Sequence, residues 1–357
     1  MSGRWVRMSA LPRPPAPPKN GLRVVALLAC IASVMAACTL TPPPATTAPT
    51  GTTAAPSTTT APPTTTTASA PAPSASPASM LYDANTTGNW EIYRRFSASS
   101  AVTQLTSDRR YDSWWVKASP DRTRILFYRT PAGVHDTDYT KTSLWMANID
   151  GSGLHQVIAT GQYGWTMQGH AEWSPDGTQL VMFAVPMGVT VTDANGASPR
   201  HVAYGADPSW SPDGRRIVYI DCLDPAAIGC TQDQVRVHIV NADGTNPHTV
   251  VATPPSPADP TMSPDGTKIA WESLGTGGLV VDLWVANADG TNPHVLFHDG
   301  NINTVPVWSS NQEILFTKDQ RIQLGYGLWS IRADGTGLTR IFGGELYNFA
   351  ELAFPLP

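Results

Sequence analysis

Two short phrases alternate from about residue 81 to the end of this 357-residue chain, and they constrain its fold more than any other feature. The first is Trp173-Ser-Pro-Asp-Gly177, Trp210-Ser-Pro-Asp-Gly214 and Met262-Ser-Pro-Asp-Gly266, with degenerate copies at Ala118-Ser-Pro-Asp-Arg122 and Trp308-Ser-Ser-Asn-Gln312. The second is Asn148-Ile-Asp-Gly151, Asp193-Ala-Asn-Gly196, Asn241-Ala-Asp-Gly244, Asn287-Ala-Asp-Gly290 and Arg332-Ala-Asp-Gly335, at intervals of 45, 48, 46 and 45 residues. A period in the forties carrying four short strands per unit is the mark of a propeller blade.

Each unit predicts the same meander. A short strand ends at the Trp, and Pro-Asp-Gly turns it into an apolar strand such as Arg216-Ile-Val-Tyr-Ile220 or Lys268-Ile-Ala-Trp271. A loop of variable length leads to a third strand, such as Asp282-Leu-Trp-Val-Ala286. The Asp-Gly or Asn-Gly turn, which supplies the positive φ that tight hairpins need, then hands over to a fourth strand. Six units can be counted. The first lacks its Ser-Pro-Asp-Gly strand, whereas the chain ends with a spare one, Glu351-Leu-Ala-Phe-Pro355. The expected fold is therefore an all-β, six-bladed β-propeller with velcro closure, its last strand completing the first blade and removing an open sheet edge.

The paired phrases resemble the TolB-like, WD40-like Pro-Asp propeller repeat over roughly residues 81–357, with three intact copies of the first phrase. That resemblance implies a six-bladed propeller of a bacterial envelope that serves as a binding or scaffolding module. TolB proper carries a small α/β domain ahead of its propeller, which this chain replaces with a low-complexity stretch. TolB's particular partners and its role in the Tol system therefore do not carry over.

The N-terminus predicts export. Basic residues ending at Arg23 precede an apolar run, Val24 to Ala37, with small residues before Cys38. This is the pattern of a secretory signal peptide over 1–37. Small residues before a cysteine resemble a bacterial lipobox, which would make Cys38 the lipidated first residue of the mature chain. Met35 stands where Leu is usual, and there are two rivals: Leu27-Leu-Ala-Cys30, whose apolar run would be too short, and plain cleavage after Ala36 or Ala37. Residues 38–80 are almost all Thr, Pro, Ala and Ser. They cannot bury a core, so they are expected to form a disordered tether reaching on the order of 100 Å in polyproline form. The expected division is signal peptide 1–37, linker 38–80 and propeller 81–357, lipid-anchored outside the cytoplasmic membrane, or secreted if unlipidated.

Cysteine usage agrees with export. Beyond Cys30 and Cys38 only Cys222 and Cys230 remain, a close pair expected to form a disulfide in an oxidising compartment. Charge narrows the partners. The first 80 residues hold five of the 23 basic residues and none of the 28 acidic ones, leaving the rest at −10. No basic footprint for nucleic acid exists there. The expected partners are an envelope protein or a glycan, with the membrane reached through the lipid.

Catalytic signals are weak. His155, His248 and His294 each follow the Asp of the second phrase by five residues, with Arg200 in the same place. Equivalent positions of successive blades lie around the rim, too far apart to share an ion, so no metal and no cofactor is expected. There is no G-x-S-x-G elbow and no HExxH. The recurrent Asp-Gly acids read as turn chemistry. What remains is a binding face. Trp114, Trp115 and Trp165 fall in connections expected to enter inner strands, and His170, Asp207, Asp259 and Asn303 stand where they would point at the channel mouth beneath the longer loops. The reading is a non-catalytic binding module. The alternative is a carbohydrate-active enzyme or small-ligand binder with its site at the channel mouth.

Overall fold

The computed structural model describes residues 79–96, 101–222, 232–253, 256–274, 280–319, 326–343 and 351–356. The signal segment, Cys38 and nearly all of the tether lie outside them. Among the described residues no helix is long and apolar enough to cross a membrane.

Six four-stranded antiparallel sheets form a closed ring. Blades 2 to 6 each take four consecutive strands. Their innermost strands are Tyr111–Ala118, Met167–Trp173, Ala206–Trp210, Pro257–Met262 and Asn303–Ser310. Blade 1 is assembled from both ends of the propeller: Glu351–Leu356 is innermost, followed by Ser79–Ala84, Glu91–Phe96 and Val102–Gln104. The terminal strand runs antiparallel to Ser79–Ala84, from Ser79 opposite Leu356 to Asp83 opposite Glu351, and also packs against the inner strands of blades 2 and 6. The expected velcro closure is thus present. The first strand begins at Ser79, two residues ahead of the boundary read from composition.

The core is a ring of interfaces between blades. The second strand of blade 3, Gln179–Val185, has six consecutive buried apolar residues from Leu180 to Val185, because both of its faces are covered by other blades. Trp210 of blade 4 packs with Val181 and Val189 of blade 3, and Trp308 of blade 6 packs with Ala270 and Leu283 of blade 5. Trp308 also donates through Nε1 to the Thr261 carbonyl of blade 5 at 3.3 Å. Most tryptophans of the repeat are therefore interblade wedges, as their periodicity implies.

The first phrase is a hydrogen-bonded turn. Ser174 Oγ donates to Asp176 Oδ1 at 2.6 Å, the same oxygen accepts from the Thr178 N–H at 3.0 Å, and Ser174 Oγ accepts from the Gln179 N–H at 2.9 Å. The Ser–Asp bond recurs at Ser119–Asp121, Ser211–Asp213 and Ser263–Asp265. The Ser hydroxyl is the main reason that the Asp176 and Asp265 carboxyls sit below their ordinary values. Turns of neighbouring blades also touch: a Cβ on Gly177 would meet Pro120 at 3.6 Å, and one on Gly266 would meet Pro212 at 3.5 Å. In the second phrase, Gly290 has φ +80° and lies so close to the Val250 carbonyl of the preceding blade that no side chain fits. Both phrases thus encode local turns and the seams between blades. Cys222, which ends the strand Arg216–Cys222, is disulfide-bonded; Cys230 lies outside the described residues.

Candidate functional site

Every inner strand of blades 2 to 6 carries the same interruption. Its register against the second strand slips at Trp114/Lys117, Gly169/Glu172, Ala206/Ser209, Ala258/Thr261 and Thr304/Val307. One residue within each slip has left-handed backbone: Trp115 (φ 55°), His170 (54°), Asp207 (48°), Asp259 (47°) and Val305 (53°). None is glycine, although left-handed backbone is uncommon for other residues and costs of order 1–3 kcal/mol. Bulges of this kind re-aim a side chain. All five residues line a single cavity of about 200 Å³ at the centre of the ring.

Two residues further along each strand, Lys117, Glu172, Ser209, Thr261 and Val307 form a second tier of the wall. Pro208, Pro260 and Pro306 between the tiers, then Trp210, Met262, Trp308 and the turn residue Pro212, complete it. The cavity is therefore built from the later halves of the inner strands, on the side of the Ser-Pro-Asp-Gly turns. The sequence reading placed the site under the longer loops, at the opposite end of these strands.

The wall has a strongly polar sector. His170 Nδ1 lies 2.7 Å from Asp207 Oδ1 and 3.3 Å from Asp259 Oδ1, and all three side chains are at least 93% buried, with exposures of 3%, 3% and 7%. The opposite ring nitrogen, His170 Nε2, is 2.9 Å from the Tyr139 hydroxyl, itself buried in the short helical turn Tyr139–Lys141. Trp115 stacks on the imidazole with ring centroids 4.1 Å apart and 12° between planes, and Phe183 meets the ring edgewise. Gly169 admits this crowding, since a Cβ there would fall 2.5 Å from Phe183 and 2.6 Å from Tyr139.

Electrostatics follow from burial and proximity. Burial pushes His170 toward its neutral form, but the Asp207 and Asp259 carboxylates outweigh it and bring its pKa up to about 10. Burial raises the Asp259 carboxyl, against the pull of His170. Lys117 is lowered by burial, with Glu172 and Asp259 opposing, and its ammonium sits 5.1 Å from the Trp115 ring centroid.

Four of the seven residues anticipated for the binding face, Trp115, His170, Asp207 and Asp259, come together here. They lie within the inner strands rather than ahead of them. The other three do not join them. Trp114 is fully buried in the core and donates from Nε1 to Thr130 Oγ1 at 3.3 Å. Trp165 is 3% exposed, with Nε1 3.2 Å from Met187 Sδ. Both tryptophans are packing residues; strand alternation turns Trp114 away from the channel while the bulge turns Trp115 toward it, and Trp165 is buried ahead of the strand Met167–Trp173. Asn303 is fully buried two residues before the bulge, donating to the Val281 carbonyl and to Asp299 Oδ1. The position equivalent to His170 in that blade is Val305. An apolar residue does not advertise itself, but counting four residues back from the Ser of each first phrase finds all five members.

The rim histidines behave as their periodicity implies. His155, His248 and His294 are exposed, and each places Nδ1 2.8–2.9 Å from the carbonyl two residues earlier.

With the ring and its cavity in view, the fold is that of a TolB-like six-bladed β-propeller. No family model matches the chain, and no curated protein matches its sequence. Solved structures do. TolB from Acinetobacter baumannii superposes with a TM-score of 0.58 at 13% identity, over 75% of this chain and 65% of that one. The chain thus spans about two thirds of that protein. A protein assigned as TolB from Agrobacterium tumefaciens gives 0.54 at 17% identity, over 79% of this chain and 100% of that one. A chain of the nidogen/laminin complex gives 0.54 at 11% identity, over 75% and 92%.

Proposed function

We propose that this protein is an exported binding module, tethered by a lipid on Cys38 to the outer side of the bacterial cytoplasmic membrane, whose propeller recognises an envelope protein through its central cavity. The observation that carries this reading is the convergence of five left-handed bulge residues, from five consecutive blades, on one cavity. Strained backbone repeated around a ring marks a place where side-chain direction matters more than local stability. A cavity of about 200 Å³ is smaller than the pockets that enclose drug-sized ligands. It suits one inserted side chain or an ion better than a sugar chain. The basic, apolar and small-residue segments ending at Cys38, the Thr/Pro-rich tether and the proposed Cys222–Cys230 disulfide all fit an extracytoplasmic location. That one structural neighbour is a propeller from a complex with laminin adds support for a protein partner.

The test is capture from envelope extract by the full mature chain. Wild type is compared with Trp115→Ala, which alters the cavity wall, and with Leu154→Ser on the rim. Bound proteins and glycans are identified by mass spectrometry, and folding is checked by circular dichroism. A protein retained by wild type and Leu154→Ser but lost with Trp115→Ala supports the reading. Equal retention by all three, a glycan instead of a protein, or no ligand overturns it. In intact cells Cys38→Ser should move the protein from the membrane to the soluble fraction; a variant that stays with membranes removes the lipid anchor.

A further inference from the structure

We propose that His170 Nδ1 and one carboxylate oxygen each of Asp207 and Asp259 form a binding site for one divalent transition-metal cation, of the zinc or manganese class. The inference deepens the cavity reading and rests on it for the site's purpose, though not for its chemistry. Among the described residues, these three are the group of His, Cys, Asp and Glu whose donor atoms all lie within 4.8 Å of one another. No metal is expected from the sequence because the rim histidines are too far apart and the other histidines, His170 among them, lack metal-ligand spacing along the chain. The donors instead occupy the bulge position of three consecutive blades, which the topology brings to the centre.

The distances fit a cation. Metal–nitrogen and metal–oxygen bonds of about 2.0–2.2 Å place neighbouring donors about 3 Å apart at octahedral angles and about 3.4 Å apart at the tetrahedral angle of zinc. The observed 3.3 Å falls in that range, and the 2.7 Å pair needs to open by about 0.3 Å or more around an ion. The imidazole is oriented for the task. Tyr139 holds Nε2, which leaves Nδ1 facing the two carboxylates, the arrangement by which an outer partner fixes a metal-ligating histidine. One nitrogen and two carboxylate oxygens form a borderline-to-hard donor set suited to zinc, manganese or ferrous iron rather than to a thiolate-seeking metal.

Two further observations point to a ligand. His170 Nδ1 is buried and lies at ion-pair distance from both acids at once, and a single N–H cannot be aligned on two carboxylates together. Asp207 Oδ2 is likewise buried without a hydrogen-bond partner, on a residue 4% exposed that lines the cavity. Buried polar atoms are nearly always satisfied. A cation among these donors would engage the imidazole nitrogen and the carboxylates together. Charge agrees once the proton is counted: Lys117 and Glu172 offset one another in the second tier, and a cation that takes the Nδ1 lone pair displaces the His170 proton to solvent, leaving the Asp207 and Asp259 charges for a dication to neutralise. Three protein donors leave further coordination positions turned to the cavity, where water or a partner's carboxylate or carbonyl oxygen can bind.

The test uses the purified full mature chain, stripped with a chelator and titrated separately with Zn²⁺ and Mn²⁺. Calorimetry and elemental analysis after dialysis read affinity and stoichiometry. The expected result is one ion per chain, with affinity at least about tenfold weaker in Asp207→Asn and in Asp259→Asn, and unchanged in His155→Ala and His248→Ala. Outer-partner and ligand losses at metal sites are commonly of that size or larger. If either Asn variant misfolds, crystals of the wild type soaked in Mn²⁺ or Zn²⁺ decide the matter, through an anomalous peak at bonding distance from His170 Nδ1. Absence of stoichiometric binding, or binding abolished only by rim-histidine changes, overturns the proposal. No partner enters this experiment. A stoichiometric ion with failed capture would leave the metal site standing without the binding module, and the converse would leave the module without the metal.

Discussion

Trp115 lies flat on His170, one blade apart around the ring, with 4.1 Å between ring centroids. Both residues sit at the bulge position of their inner strands, and both have left-handed backbone. The contact therefore arises from a repeated backbone device, and it puts an indole over one face of the cavity's imidazole. The layer behind that imidazole, Tyr139 and Phe183, closes over Gly169. The strength of the site thus depends on a residue with no side chain.

Gly169→Ala tests that dependence. Its Cβ would stand 2.5–2.7 Å from ring carbons of Phe183 and Tyr139, so one ring must move. Overpacking of this kind costs about 1–3 kcal/mol. Urea denaturation should show that loss. Displacement of Tyr139 would also free His170 Nε2, so any ligand held by His170 Nδ1 should bind more weakly. A variant as stable as wild type would mean that the two rings yield without cost, and that Gly169 is not what seats Tyr139.

Most of the fold was legible because it repeats. The Ser-Pro-Asp-Gly and Asn-Ala-Asp-Gly phrases encode turns that draw on their own side chains, such as Ser174 to Asp176, and local chemistry of that kind shows in local sequence. Ring closure was legible as a missing strand at one end and a spare one at the other. The site was legible only in part. Which of two adjacent tryptophans faces the channel depends on a one-residue bulge, and alternation alone does not place it. Asn303 was preferred to Val305 for the same reason: polarity drew attention to the wrong register. The cavity's end of the channel was missed because loop length suggested one face while the converging side chains occupy the other.

Closure itself makes a prediction. Glu351–Leu356 pairs with Ser79–Ala84 and touches the inner strands of blades 2 and 6. Deleting residues 351–357 should expose the Ser79–Ala84 edge and the flank of two blades. The expected cost is at least about 4 kcal/mol, or roughly 10 °C in Tm for a domain of this size, with aggregation on heating. Calorimetry of the full chain against the truncated one reads it directly. An unchanged Tm would show that the ring holds without its last strand.

The strand Arg216–Cys222 supplies a pH dependence separate from the cavity. Asp221 is 6% exposed, and burial brings its carboxyl up to about 7, against a backbone N–H bond from Cys222 at 2.7 Å. On the neighbouring strand, His238 stands opposite Tyr219 and is pushed down to about 4 by burial, with His248 and Arg236 adding to the shift. The two signs oppose. Between about pH 4 and 7 the folded chain holds a proton on Asp221 that the unfolded chain has lost, so this group's contribution falls as pH rises. Between about pH 4 and 6.5 the unfolded chain holds a proton on His238 that the folded chain does not, so that contribution climbs with pH. Wild type should therefore show little net slope from this pair below about pH 6.5. Asp221→Asn keeps the acceptor for the Cys222 N–H but removes the titration. Its stability relative to wild type should grow from pH 4 to 7, by up to about 4 kcal/mol from a shift of roughly three units, and then stay level. His238→Gln should change the profile in the opposite sense over pH 4 to 6.5. Thermal unfolding of the three proteins from pH 4 to 8 provides the comparison, and parallel curves for wild type and Asp221→Asn would show that Asp221 ionises in the folded chain as it does in water.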